Sequence, residues 1–211
     1  MTLRNQRIQQ LVAQREITQL IHFTRVENLA SIINHGIIPV DSAIAAKLAP
    51  AVNDLDRLDG YRNASCISIS LTNHRMFWKY RQENPTVDWV VLGIRPSVLW
   101  EKNCAFCRHN AADGRITSQQ LQQLTTVESL IGMFDEIDGV TPRSEQRLLP
   151  HDTTDSQAEV LVFDTIEPEY IFAAAFNKQT TFDSYGGLLG DRKKKLVGSQ
   201  AGVFATRSYL R

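Results

Sequence analysis

Several stretches of the chain put polar side chains where a sheet interior would favour apolar ones. In SQAEVLVF, residues 156–163, Glu159 interrupts a run containing Val160, Leu161, Val162 and Phe163 that suits a buried strand. An ionised carboxylate there gives up its hydration and needs a partner or a purpose. The period of a strand sets Gln157, Glu159, Leu161 and Phe163 on one face and Ala158, Val160 and Val162 on the other. An amide and a carboxylate would then project together at the edge of a cleft. The same residues also fit a strand whose end is simply wet.

Other polar islands stand beside this one. His22 and Thr24 end an apolar stretch, Ser68 and Ser70 alternate with Ile67 and Ile69, and Arg75 follows shortly after. Taken singly, His22 fits a satisfied core histidine, the serines the solvent face of an edge strand, and Arg75 a helix surface charge. Together they supply hydrogen-bonding groups, a guanidinium and a carboxylate, a set able to grip a diphosphate and two riboses.

The elements that must position these residues can be read from periodicity. Residues 2–16 suit a polar, amphipathic leading helix, followed by a strand through 19–23. Thr24 is placed to cap a helix whose Val26, Leu29, Ile32 and Ile33 recur at helical spacing, and Gly36 to close it. Residues 41–64 mix an Ala-rich stretch with Asp59-Gly60 and the polar Arg57, Tyr61, Arg62 and Asn63, which predicts a mobile loop. A strand is expected over 66–70, and Asn73 can cap a helix with Met76, Phe77 and Tyr80 on one side. Further expectations are a strand over 87–94 ended by Pro96, helix over 118–135, strands at Glu159 and over 170–176, and a polar C-terminal region with a basic run over 192–195. The order lacks a regular βαβ rhythm, so the fold class is α+β.

At 211 residues the chain suits one domain, 1–211, and Lys plus Arg and Asp plus Glu both number 23, so no net positive field advertises duplex binding. Cys66, Cys104 and Cys107 are an odd set, and the N-terminus lacks a signal-like apolar core, which points to a reducing cytoplasm. Apolar runs fall short of the ~20 residues that span a membrane, so a soluble protein with no membrane partner is expected. Cys104 and Cys107 form one CxxC with His109 behind it; two buried thiols are the simpler reading than zinc.

With these residues in place, the chain resembles the DarT-type DNA ADP-ribosyltransferases of bacterial toxin–antitoxin and phage-defence systems. The resemblance runs over roughly residues 18–176, through HFTRVENLASIINHGI (22–37), RLDGYRNASCISIS (57–70), NHRMFWKYR (73–81), DWVVLGIRPSVLW (88–100) and DSQAEVLVFDTIEPEYI (155–171). It implies the ADP-ribosyltransferase fold, two small packed antiparallel sheets around an NAD cleft with flanking helices. It implies that Glu159 is catalytic, holding a hydroxyl of the nicotinamide ribose and steadying an oxocarbenium-like centre, and that Arg75 is the active-site arginine, with Arg81 as a fallback. For NAD it implies contacts from His22, on the adenosine side, and from Thr24, Asn28, Gly36, Arg57, Tyr61 and Ser68; Gly36 fits a plain helix cap equally well. Gln157, Lys79 and Arg81 would face the nucleic acid. Tyr80, beside Trp78 and Lys79, fits core packing better than a stacking platform, and the run over 192–195 fits a solvated face.

The implied reaction consumes NAD and needs no metal. ADP-ribose passes to thymine or guanine in single-stranded DNA, and an antitoxin, a macrodomain-type ADP-ribosylglycohydrolase, reverses it. RNA modification, a protein-directed transferase and a non-catalytic binding module are the alternatives.

Overall fold

The computed structural model describes residues 1–52 and 59–210. Among them, β1 (Leu20–Arg25), β2 (Ser65–Ile69), β3 (Trp89–Ile94), β4 (Cys104–Cys107), β5 (Glu159–Val162), β6 (Ile171–Phe176) and β7 (Lys193–Leu196) form a seven-stranded sheet of order β4-β5-β2-β1-β3-β6-β7. The helices that matter for the site are α1 (Leu3–Gln14), α2 (Leu29–His35), α3 (Val40–Ala45) and α4 (His74–Glu83). Strands and helices are interspersed as the α+β reading expects.

The sheet is continuous at one narrow join. β1 pairs with β3 along its whole length, Leu20 with Ile94 through Arg25 with Trp89. It meets β2 through only two register pairs, Leu20 with Ile69 and Ile21 with Ser68. The expected pair of separate sheets is therefore corrected to two halves, β4-β5-β2 and β1-β3-β6-β7, hydrogen-bonded across a two-residue ladder. Nor is the pairing wholly antiparallel, since β6 and β7 run parallel.

Burial follows the sequence. All six residues of β3, WVVLGI, are buried, as a central strand requires. α1 contributes Ile8, Leu11 and Val12 to the main core and packs on the helices Val98–Glu101 and Val127–Gly132. A second cluster holds Cys107, Ala105 and Leu161 on one face of β4 and β5, and a third gathers Ile21, Phe77, Trp89, Val91 and Phe204. β7 is an exposed edge whose lysines discourage further strand pairing.

Two expectations fail locally. The stretch read as mobile loop contains α3 over Val40–Ala45. The helix expected over 118–135 is broken into Leu121–Leu124 and Val127–Gly132, because the Thr126 hydroxyl accepts from Ser129 N and starts a new helix. The CxxC is itself strand β4, so Cys104 and Cys107 point to opposite faces, into different apolar clusters, and do not converge on a metal. Burial pushes both thiols up to about 12.

Candidate active site

The narrow join sets up the site. Beyond Ile21 and Ser68 the neighbouring strands part, β1 following β3 and β2 following β5. His22 is the next residue of β1, and its Nδ1 reaches back 3.0 Å to the Cys66 carbonyl of β2. A cavity of about 670 Å³ lies at this fork, lined by His22 and Thr24 of β1, Asn28 and Gly36 beside α2, Ser68 of β2, Asn73, Lys79 and Tyr80 around α4, and Glu159 and Asn110. That volume falls within the roughly 300–1,000 Å³ of small-molecule sites.

Glu159 opens β5 opposite Cys107 of β4 and is 3 % exposed. Its Oε1 accepts from Asn73 Nδ2 at 3.0 Å and from Asn110 Nδ2 at 2.9 Å, and its Oε2 from the Ala111 backbone N–H at 3.3 Å. Donors of this kind favour the ionised form and replace the hydration lost on burial. A fixed negative charge at a cavity wall is suited to stabilise positive charge that develops during a reaction.

His22 has a different electrostatic character. Its partner is a carbonyl, which only accepts, so Nδ1 carries the proton and donates. Burial lowers its pKa, with the Cys66 bond opposing in part. The ring is thus neutral near pH 7 and Nε2 is an acceptor, fit to receive a hydroxyl. Two residues on, Thr24 does not cap a helix: β1 continues to Arg25, and Thr24 Oγ1 instead accepts from Asn28 Nδ2 at 2.9 Å. Asn28 also exchanges bonds with Ala51, donating to its carbonyl at 3.0 Å and accepting its N–H at 2.8 Å. This ties the segment after α3 to the cavity wall.

Gly36 ends α2 with φ of 86°, a left-handed conformation that favours glycine. A Cβ there would lie 2.3 Å from the Ile166 carbonyl oxygen. The close approach lets Ile37 and Ile166 exchange backbone bonds of 2.9 Å, a second strap between the two halves.

The structure gathers His22, Thr24, Asn28, Gly36, Ser68, Lys79 and Glu159 around one cavity. It does not bring Arg75, Arg81, Tyr61 or Gln157 to its lining. Arg75 is exposed on the outer side of α4. Arg81 stacks 4.7 Å over Phe77 and donates to the carbonyls of Ser199 and Phe204. Tyr61 packs edge-on against Phe163 with centroids 5.8 Å apart. Gln157 precedes the strand, because its N–H is captured by Asp155 Oδ1 at 2.8 Å in a turn, so the shared strand face with Glu159 is corrected. Arg57 lies outside the described residues. Ser68 and Ser70 are buried rather than solvent-facing, and Ser68 Oγ accepts from Asn73 N at 3.2 Å.

Sequence reasoning missed two groups. Asn73 was legible as a helix cap but not as a partner of Glu159. Asn110 and Ala111 follow β4, and a strand made of CAFC offers no alternation to reveal it. Asp59, a second buried acid in the lining, is anchored by the Tyr61 N–H on Oδ1 at 2.8 Å.

Comparison with known proteins agrees with this geometry. The family model for DarT, described as ssDNA thymidine ADP-ribosyltransferase, matches residues 21–197. Among curated proteins none matches the sequence. Thermosipho africanus DarTG, solved with ADP-ribose, is similar at 12% identity and a TM-score of 0.57, over 90% of this chain and 52% of that one. The present chain thus spans about half the length of that protein. Thermus sp. 2.9 DarT with carba-NAD+ gives 12% identity and 0.55 over 86% of this chain and 96% of that one. Thermus sp. 2.9 DarT with ADP-ribosylated ssDNA gives 12% and 0.53 over 86% and 94%. Likeness at this identity establishes a shared fold.

Proposed function

The chain belongs to the DarT family of ssDNA thymidine ADP-ribosyltransferases, and from that premise we propose that it transfers ADP-ribose from NAD to thymidine in single-stranded DNA and releases nicotinamide. The observation that carries this reading is the buried Glu159 carboxylate, held by Asn73, Asn110 and Ala111 in the wall of a polar cavity. NAD is a consumed substrate. The cavity suits it in volume, and His22 Nε2 and the Thr24–Asn28 pair offer groups for ribose hydroxyls.

As the bond between the nicotinamide nitrogen and ribose C1 breaks, its electron pair leaves with nicotinamide. The sugar becomes cationic at C1. Glu159 binds a hydroxyl of that sugar and stabilises the cation more than the neutral ground state, which lowers the barrier. A ring nitrogen of thymine then bonds to C1 and loses its proton. In a duplex that N–H is engaged by the paired adenine, so a single strand is the natural substrate. Arg75 and the 52 % exposed Trp78, on the outer side of α4 next to Lys79, supply phosphate and stacking contacts for the strand around the target base.

No helix among the described residues is long and apolar enough to cross a membrane, and an odd set of three cysteines, Cys66, Cys104 and Cys107, suits a reducing cytoplasm where DNA is at hand. A macrodomain-type hydrolase that removes the modification is the expected antitoxin partner.

Incubation with NAD and matched DNA and RNA oligonucleotides of defined base content, read by mass spectrometry, tests the proposal. One ADP-ribose on thymine-containing single-stranded DNA, with equimolar nicotinamide, is the expected result. Modification confined to RNA or protein, or nicotinamide release indifferent to DNA, would contradict it.

A further inference from the structure

Asn73 is 1 % exposed and has more bonding capacity than its place at the start of α4 requires. A helix cap needs one acceptor, which Ser, Thr or Asp would supply equally well. Asn73 Oδ1 fills that need by accepting from Met76 N at 3.3 Å. The same bond fixes which way the amide faces, so its surplus donor, Nδ2, is aimed at Glu159 Oε1, 3.0 Å away. The backbone is held as well: Asn73 N donates to Ser68 Oγ, and the turn from β2 into α4 passes through Ser70 at φ of 63°. Ser70 thus accepts a conformation costly for a residue with a Cβ.

α4 is also pinned from behind. Thr72 Oγ1 donates to the Val203 carbonyl at 2.8 Å, and Arg81, two turns along, holds the carbonyls of Ser199 and Phe204 at 3.1 and 3.3 Å. Phe204 itself packs on Phe77 with centroids 5.5 Å apart. These anchors lie beyond residue 197, where the family match ends.

We propose that Asn73 is a positioning residue that aims Glu159 and keeps it charged, and that the segment 199–204 sets the seat of α4 from which it does so. The inference rests on the function proposed above and assigns Asn73 no contact with substrate. Segments far apart in sequence thereby act on one carboxylate: 159 in β5, 73 at the head of α4, and 199–204 behind it.

The pH profile of DNA-dependent nicotinamide release tests this. Asn73→Asp keeps the cap and the shape but replaces a donor by a like charge beside Glu159. The proton affinity of Glu159 then rises, and the acid limb of kcat/KM moves up by about one pH unit or more. Asn73→Ser keeps the cap and adds no charge, but its shorter side chain lacks the amide that reaches Glu159, and kcat falls about tenfold with KM for NAD unchanged. Thr72→Val, which loses only the bond to Val203, lowers kcat by about threefold. Among the described residues, Cys107 lies opposite Glu159 on β4, Asp59, Cys66, His22 and Lys79 share the cavity wall with it, and all are the same in each variant. A merely structural cap would lower the melting temperature and leave the acid limb in place. Folded Asn73→Asp protein with the wild-type acid limb, or folded Asn73→Ser protein with wild-type kcat, overturns the proposal. Wild-type protein that releases no nicotinamide in the presence of DNA indicts the functional reading instead.

Discussion

Glu159 on β5 and His22 on β1 face one cavity from the two halves of the sheet, yet the structure secures them in opposite ways. The Glu159 carboxylate accepts from the N–H groups of Asn73, Asn110 and Ala111, on two different loops. His22 is neutral and donates once, to the neighbouring strand. The first arrangement spends hydrogen-bonding groups on keeping a charge inside the protein, which serves a reaction in which positive charge appears. The second leaves an acceptor facing the cavity, which serves to hold a hydroxyl. On the proposed function, chemistry and holding divide between the halves and meet at the fork between β1 and β2.

That division can be broken most severely at Glu159. Glu159→Gln keeps the shape but removes the charge, and kcat is expected to fall by about 10³ or more with KM for NAD little changed, measured as nicotinamide release. A rise in KM with kcat intact would move Glu159 into the holding half. Next comes the strap. Gly36→Ala forces a Cβ towards the Ile166 carbonyl at an unfavourable φ, so a loss of about 2 kcal/mol or more is expected in denaturant unfolding.

His22 should behave as the mirror of Glu159. His22→Ala is expected to raise KM for NAD about tenfold with a smaller change in kcat, in line with one lost hydrogen bond of about 1–2 kcal/mol. Its pH dependence has a definite sign. Because burial lowers the folded-state pKa below the ordinary value, the unfolded chain binds more protons in the window between the two. Stability therefore rises with pH across that window and is lost as pH falls through it. Thermal melts from pH 7 down to pH 5 should show this loss, and His22→Gln should flatten it. The smallest effect belongs to Arg75, outside the cavity: Arg75→Ala should raise KM for DNA by about threefold at low salt and leave KM for NAD unchanged.

The same division explains what was legible beforehand. Glu159, His22 and Thr24 stood out because a polar residue in an apolar strand is a local anomaly, and Asn73 and Gly36 because caps have local signatures. The Glu159 partners did not, since Asn73 is 86 residues away and Asn110 is 49, and nothing local marks an amide as the partner of a distant carboxylate. β4 and β7 were missed for want of alternation: CAFC is buried throughout and KKKL exposed throughout. Gln157 was misplaced because the strand period was extended two residues too far, from Glu159 back to Gln157, whose backbone N–H the Asp155 side chain had already claimed. Arg75 looked like a residue of the active-site cavity from its position after β2, whereas the helix phase turns it outward and gives the cavity Met76, Lys79 and Tyr80 instead.

A crystal structure with a non-hydrolysable NAD analogue bears most directly on the central claim. The account predicts a Glu159 carboxylate oxygen within about 3 Å of a hydroxyl on the nicotinamide ribose, with Asn73 and Asn110 still donating to it and His22 Nε2 turned to the other ribose. A nicotinamide ribose seated away from Glu159, with the carboxylate bonded only to protein, would contradict it.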